Sequence, residues 1–174
     1  HFANPVLFLF MGGFALAAAL HAQQLDRYLA ESVILLSGGK LSRAVWLLFA
    51  VTAFMSMWIS NTATVAIMLP LAMGLLANID REHQLNTHTF VLLGVAYSAN
   101  IGGMGTLVGS PPNAIAAAYA HLGFMEWMQL GVPVMLLLWP LALAVLYLLL
   151  RPHLDHKILA DEMTSVWQWT QPRI

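Results

Sequence analysis

Cysteine is absent from the 174 residues and charge is scarce: seven Lys and Arg and eight Asp and Glu make up 9% of the chain. Without cysteine there is no disulfide framework and no thiolate metal site. A net charge of -1 offers no field that would hold nucleic acid. None of Asp26, Glu31, Asp80, Glu82, Glu126, Asp155, Asp161 or Glu162 falls inside an apolar block, so no buried carboxylate is at hand for a proton relay. What fills the chain is hydrocarbon: 60% of the residues are hydrophobic and the mean hydropathy is +0.75. A water-soluble domain cannot cover that much apolar surface with so few polar groups, and the solvent expected around most of the chain is lipid. It opens on His1 directly before an apolar stretch that has no basic flank, and it closes on a polar tail. That reads as an excerpt of a longer protein rather than a chain led by a cleaved signal peptide.

Hydrophobic blocks divide the chain. Residues 1–22 hold a first span, Pro5 to Leu20. Within 23–40, Leu25, Tyr28, Leu29, Val33 and Leu36 recur at helical spacing, which predicts an amphipathic helix lying in the interface. Ser37-Gly38-Gly39 then breaks the chain. The block 44–78 is too long for one crossing and carries Ser60, Asn61, Thr62 and Thr64 near its middle. It reads as a hairpin of two helices, each about 25 Å long and short of a full crossing. Asp80 to His88 is expected as a loop. A broken helix follows over 89–122, interrupted between Gly102 and Pro112, and then a plain span over 127–150 with Pro133 and Pro140. Residues 152–174 form a polar cytoplasmic tail. One topology places every Lys and Arg on a single face, as the positive-inside tendency requires. Together these elements make 41–151 one all-α membrane unit.

Breaks inside a bilayer leave backbone N–H and C=O groups unpaired at several kcal/mol each, so they persist only where protein or a water-filled cavity receives them. At the first break Ser60, Asn61 and Thr62 are good N-caps for the helix that follows. At the second, Ser110 can cap and Pro111 or Pro112 can occupy the first turn. Carbonyls and hydroxyls at a helix C-terminus suit a cation; amides at an N-terminus suit an anion. Ser56, Ser60 and Asn61 gather three neutral oxygen-bearing side chains at one helix end, which favours a hard cation such as sodium.

The strings M-W-I-S-N-T-A-T-V-A-I-M-L-P (Met57 to Pro70) and N-I-G-G-M-G-T-L-V-G-S-P-P-N (Asn100 to Asn113) resemble the divalent anion:sodium symporter family, carriers of dicarboxylates, citrate and sulfate. The likeness runs from the first span to the tail around Trp167 and Trp169. It implies a re-entrant hairpin and one inverted-repeat half of an ion-transporter-type fold, in a multi-pass protein of the inner membrane. It also implies sodium held by Ser56, Ser60, Asn61 and backbone near Gly109, and a substrate carboxylate held by Asn61, Thr62 and Ser110. Ser110 stands where many relatives carry Thr. No cofactor is implied beyond the coupling sodium ion; the implied partners are the anion, the bilayer, a second inverted repeat not contained in this chain, and a second copy in a homodimer.

Other readings compete. A sodium-independent exchanger or another anion carrier of the wider superfamily would share the same breaks. The glycine-rich string lacks the Lys-Ser/Thr of a phosphate loop. Gly105 and Gly109 match a small-xxx-small spacing. A hydrolase using Ser56 or Ser60 needs a base, and His21, His83, His88 and His121 all sit at segment ends. His153 and His156 have no third ligand near them in sequence, so they read as solvated.

Overall fold

A computed structural model describes Met11, Gly12, Ala15, Ala19, Ala22 and residues 36–155 apart from Asn78 and Glu82. Most of the first span and of the interfacial helix, and the tail from His156 onward, lie outside the described residues. Within them the chain is helical and holds no β-strand. The helices are α1 (Leu41–Ser56), α2 (Asn61–Leu76), α3 (Leu85–Gly102), a 3-10 turn (Gly103–Gly105), α4 (Pro111–Tyr119) and α5 (Phe124–Leu150).

Gly38 and Gly39 adopt φ of +59° and +75°, a region open to glycine at little cost, and α1 starts directly after. The two helices expected over 44–78 are present as α1 and α2, 16 residues each. The break between them sits slightly earlier than read from sequence. It spans Met57 to Ser60, and Asn61 and Thr62 already lie in the first turn of α2. The cause is the cap: the Ser60 hydroxyl accepts from the Ala63 amide at 3.3 Å. A second boundary also moves. Asp80 to His88 was expected as a loop, yet α3 begins at Leu85, with the Gln84 carbonyl accepting from the amides of Thr87 and His88. The polar residues there are held by the fold: Thr87 is fully buried and its hydroxyl accepts from the His153 amide at 3.0 Å. α5 opens three residues before the expected span, where the Glu126 carboxylate accepts from the Gly123 amide at 2.7 Å.

α3 is the centre of the packing, flanked by α1, α2 and α5. Phe49 and Phe90 are fully buried with ring centroids 5.5 Å apart, and Trp46 and Tyr147 extend the cluster edge-on. Gly94 makes this possible, because a Cβ there would lie 2.1 Å from the Phe49 ring. Trp139 of α5 donates to the Ser98 hydroxyl of α3 at 3.0 Å. Outside this core the surface is oily. Leu137, Leu148 and Leu149 of α5 are each about two-thirds or more exposed, an arrangement suited to hydrocarbon rather than water. At 27 residues α5 is long and apolar enough to cross a membrane. α1 and α2, about 24 Å each, fall short of the ~30 Å hydrocarbon core.

Candidate functional site

The two breaks face each other. α1 ends at Ser56 and α3 at Gly102, and the two ends touch backbone to backbone: a Cβ on Gly102 would lie 2.2 Å from the Ala53 carbonyl oxygen. One turn further, a Cβ on Gly109 would stand 2.6 Å from the Ser56 carbonyl oxygen and 2.5 Å from that of Gly103. Only glycine allows main chain from both breaks to meet at this point.

A buried hydroxyl ties them together. Thr106, fully buried, donates to the Met57 carbonyl in the first break and accepts from the amides of Val108 and Gly109, each at 3.2 Å, in the second. Asn113, on the first turns of α4, closes the second break by donating to the carbonyls of Gly103 and Thr106, both at 2.7 Å. Trp127 of α5 donates to the Met104 carbonyl at 3.1 Å. Several carbonyls expected to stand free at the end of the broken helix therefore already have protein donors, as burial demands. Ser56, Asn61 and Gly109 stand beside these satisfied carbonyls.

There the structure brings Ser56 and Asn61 into contact. The Ser56 hydroxyl, fully buried, donates to the Asn61 Oδ1 at 2.7 Å. Asn61 Nδ2 in turn donates to Asn100 Oδ1 at 3.1 Å. The Asn61 amide lies against Gly103, where a Cβ would be 2.3 Å from its oxygen. Ser60 is adjacent, but its hydroxyl serves the α2 cap rather than joining Ser56 and Asn61. Thr62 is exposed beside them with no partner for its hydroxyl among the described residues. Ser110 departs from expectation: it occupies the N-cap of α4, but its side chain makes no capping bond, and its carbonyl accepts from the Asn113 amide at 3.1 Å. Pro111 and Pro112 take the first turn of α4 as expected.

Asn100, Thr106, Asn113 and Trp127 had no assigned role in the sequence. The first three were visible as polar residues inside an apolar block. Trp127 carried no such signal, because its partner is a backbone carbonyl more than twenty positions away. Among the described residues no group of three His, Cys, Asp or Glu gathers as for a metal. His83 pairs with Asp80 at 2.5 Å, and His121 is exposed at the far end of α4.

The family model described as "Citrate transporter" matches residues 1–169. The chain belongs to that family. A transporter of Haemophilus influenzae is 58% identical over 153 residues, 88% of this chain and 33% of that protein. A transporter of Methanocaldococcus jannaschii is 44% identical over 131 residues, 75% of this chain and 29% of the relative. The sodium-dependent dicarboxylate transporter SdcS of Staphylococcus aureus is 33% identical over 161 residues, 84% of this chain and 31% of SdcS. The chain thus spans about a third of the length of these relatives. The resemblance drawn from the two motifs is borne out. Membership in a family described as transporters points to a membrane protein, in keeping with the exposed apolar face of α5.

Proposed function

We propose that this citrate-transporter-family chain is part of a sodium-coupled carrier for dicarboxylates or related divalent anions. The observation that carries the reading is the meeting of two helix breaks at Ser56, Asn61 and Gly109, where neutral oxygens converge beside the N-terminus of α2. The Ser56 hydroxyl donates its hydrogen to Asn61, which leaves its oxygen lone pairs, the second lone pair of Asn61 Oδ1 and nearby backbone oxygen for an alkali cation. The backbone at Gly109 completes the set, and Ser60, whose hydroxyl caps α2, would reach the cation only with its remaining lone pair. Asn61 and Thr62, in the first turn of α2, and Ser110, at the start of α4, present donors to a substrate carboxylate at two helix N-termini. SdcS, sodium-dependent by name, supports the coupling ion and the substrate class.

In this reading α1 and α2 form a re-entrant hairpin from the cytoplasmic side, consistent with their short length. Residues 1–22 belong to a scaffold, 23–40 to a connecting arm and 41–151 to the moving unit. The rest of the protein adds an inverted second repeat with its own share of the pocket, and the transporter works as a homodimer in the inner membrane. The test is uptake of succinate, citrate and sulfate by the full-length protein in liposomes, with sodium or with choline. Uptake indifferent to the cation refutes coupling and leaves an exchanger. Asn61→Ala should weaken sodium and anion together, since one amide serves both; unchanged affinities for both would remove Asn61 from the site.

A further inference from the structure

One cavity lies well apart from the two breaks. About 520 Å³ in volume, it sits where the start of α1 meets the end of α5, and Ser42, Trp46, Tyr147 and Asp155 are among its lining. That size is usual for a small-ligand site. The core holds its walls in place. Trp46 and Tyr147 both pack edge-on against the fully buried Phe90, with ring centroids 6.2 and 5.9 Å away. The segment that carries Asp155 is pinned by the His153 amide, which donates to Thr87 at 3.0 Å, and by the buried Leu154. Among the described residues Asp155 is the one formal charge in the lining; the exposed Lys40, Arg43 and Arg151 flank it in sequence but do not line it. A carboxylate beside a hydroxyl and two aromatic rings suits a cation that donates hydrogen bonds, which is the chemistry of a primary ammonium.

The position of the cavity says where that ammonium comes from. Leu148, which lines it, is 70% exposed, so the cavity opens onto the flank of α5. Leu137, Leu141, Ala144 and Leu148 are all exposed and follow one another at steps of four, three and four along α5, so they share one face of the helix. From Leu148 back to Leu137 the stripe covers roughly 16 Å, about half of the ~30 Å hydrocarbon core. An apolar stripe one leaflet deep that ends at a polar cavity has the layout of a phospholipid, and a soluble amine has no use for the stripe.

We propose that the cavity between α1 and α5 seats the headgroup of a phospholipid that ends in a primary ammonium, with the ammonium at Asp155 beside Trp46 and Tyr147 and the acyl chains along α5. The site is independent of the coupling ion and of the anion carried.

The test is native mass spectrometry of the purified full-length transporter, titrated with phosphatidylethanolamine, phosphatidylcholine or phosphatidylglycerol of identical chains. Choline keeps the positive charge without N–H donors, and glycerol has neither charge nor ammonium. One phosphatidylethanolamine should bind about fivefold more tightly than either of the others, the scale of an exposed charge pair. Asp155→Asn alters an exposed residue outside the helices, leaves the fold intact and should erase the preference, whereas Asp155→Glu should keep it within about twofold. Ala144→Trp introduces an indole from the exposed face of α5 and should abolish the tight site altogether. A parent protein that binds phosphatidylethanolamine no more tightly than either other lipid overturns the proposal; that is the result expected if residues 1–35 or another part of the transporter fills the cavity. Persistence of the preference in Asp155→Asn, or of tight binding in Ala144→Trp, overturns it as well.

Discussion

Substituting alanine for Gly109 tests the meeting of the two breaks. The new Cβ would lie 2.5 Å from the Gly103 carbonyl oxygen, 2.6 Å from the Ser56 carbonyl oxygen and 2.9 Å from the Gly103 Cα. All three are main-chain atoms. No rotamer change relieves them, and restoring ordinary contact needs the second break to retreat by ~0.9 Å from both neighbours, the kind of overpacking that costs about 1–3 kcal/mol. The retreat also pulls on Thr106, whose hydroxyl accepts from the Gly109 amide while donating to Met57. Gly109→Ala in the full-length transporter should therefore lower the melting temperature by several degrees. It should also raise the half-saturating sodium concentration about tenfold or more, the equivalent of ~1.4 kcal/mol. Gly103→Ala provides the contrast. Its Cβ would meet the Asn61 side chain, at 2.3 Å from Oδ1, and a side chain can swing away. Sodium affinity should fall as in Gly109→Ala while the melting temperature holds. Gly123→Ala, whose Cβ would make only an ordinary 3.6 Å contact with Glu126, is the control for both. A Gly109→Ala protein that melts and binds sodium like its parent would refute the claim that main chain from both breaks is packed to contact there.

Thr106→Val keeps the shape and removes the hydroxyl, leaving the Met57 carbonyl and the Val108 and Gly109 amides without that partner. The expected loss is about 2–4 kcal/mol, read by denaturant or thermal unfolding; a change below ~0.5 kcal/mol would mean that water or another group already serves these atoms. Ser60→Ala removes the cap on Ala63 and should cost about 1 kcal/mol in stability. Sodium titration of the same variant separates its two roles: unaltered sodium affinity leaves Ser60 as a helix cap only.

Much of this arrangement was legible in the linear chain. Apolar blocks interrupted by Ser60-Asn61-Thr62 and by Gly102 to Pro112 located both breaks, because only a compensated interruption survives in hydrocarbon. Less legible were the boundaries and the roles of individual polar groups. The start of α3 was hidden because Thr87 and His88, read as loop residues, are buried, Thr87 against the backbone that follows α5. Ser60 was grouped with Ser56 and Asn61 because i, i+4 spacing brings side chains together on a continuous helix. The chain leaves the helix after Ser56, so Ser60 turns to its own cap.

By itself the sequence determined the solvent, the helical class, the positions of the two interruptions and the types of atom they would present. Those properties depend on hydropathy and local backbone chemistry, which short windows of residues carry. The tertiary structure alone decided that the interruptions meet, that Thr106 bridges them, that Asn113 and Trp127 occupy carbonyls which would otherwise stand free, and that Asn100 reaches the Asn61 amide. Each of these is a contact between residues from about ten to fifty positions apart, or between side chain and main chain across a break. No periodicity encodes such a contact; it exists only once α1, α3 and α5 have packed.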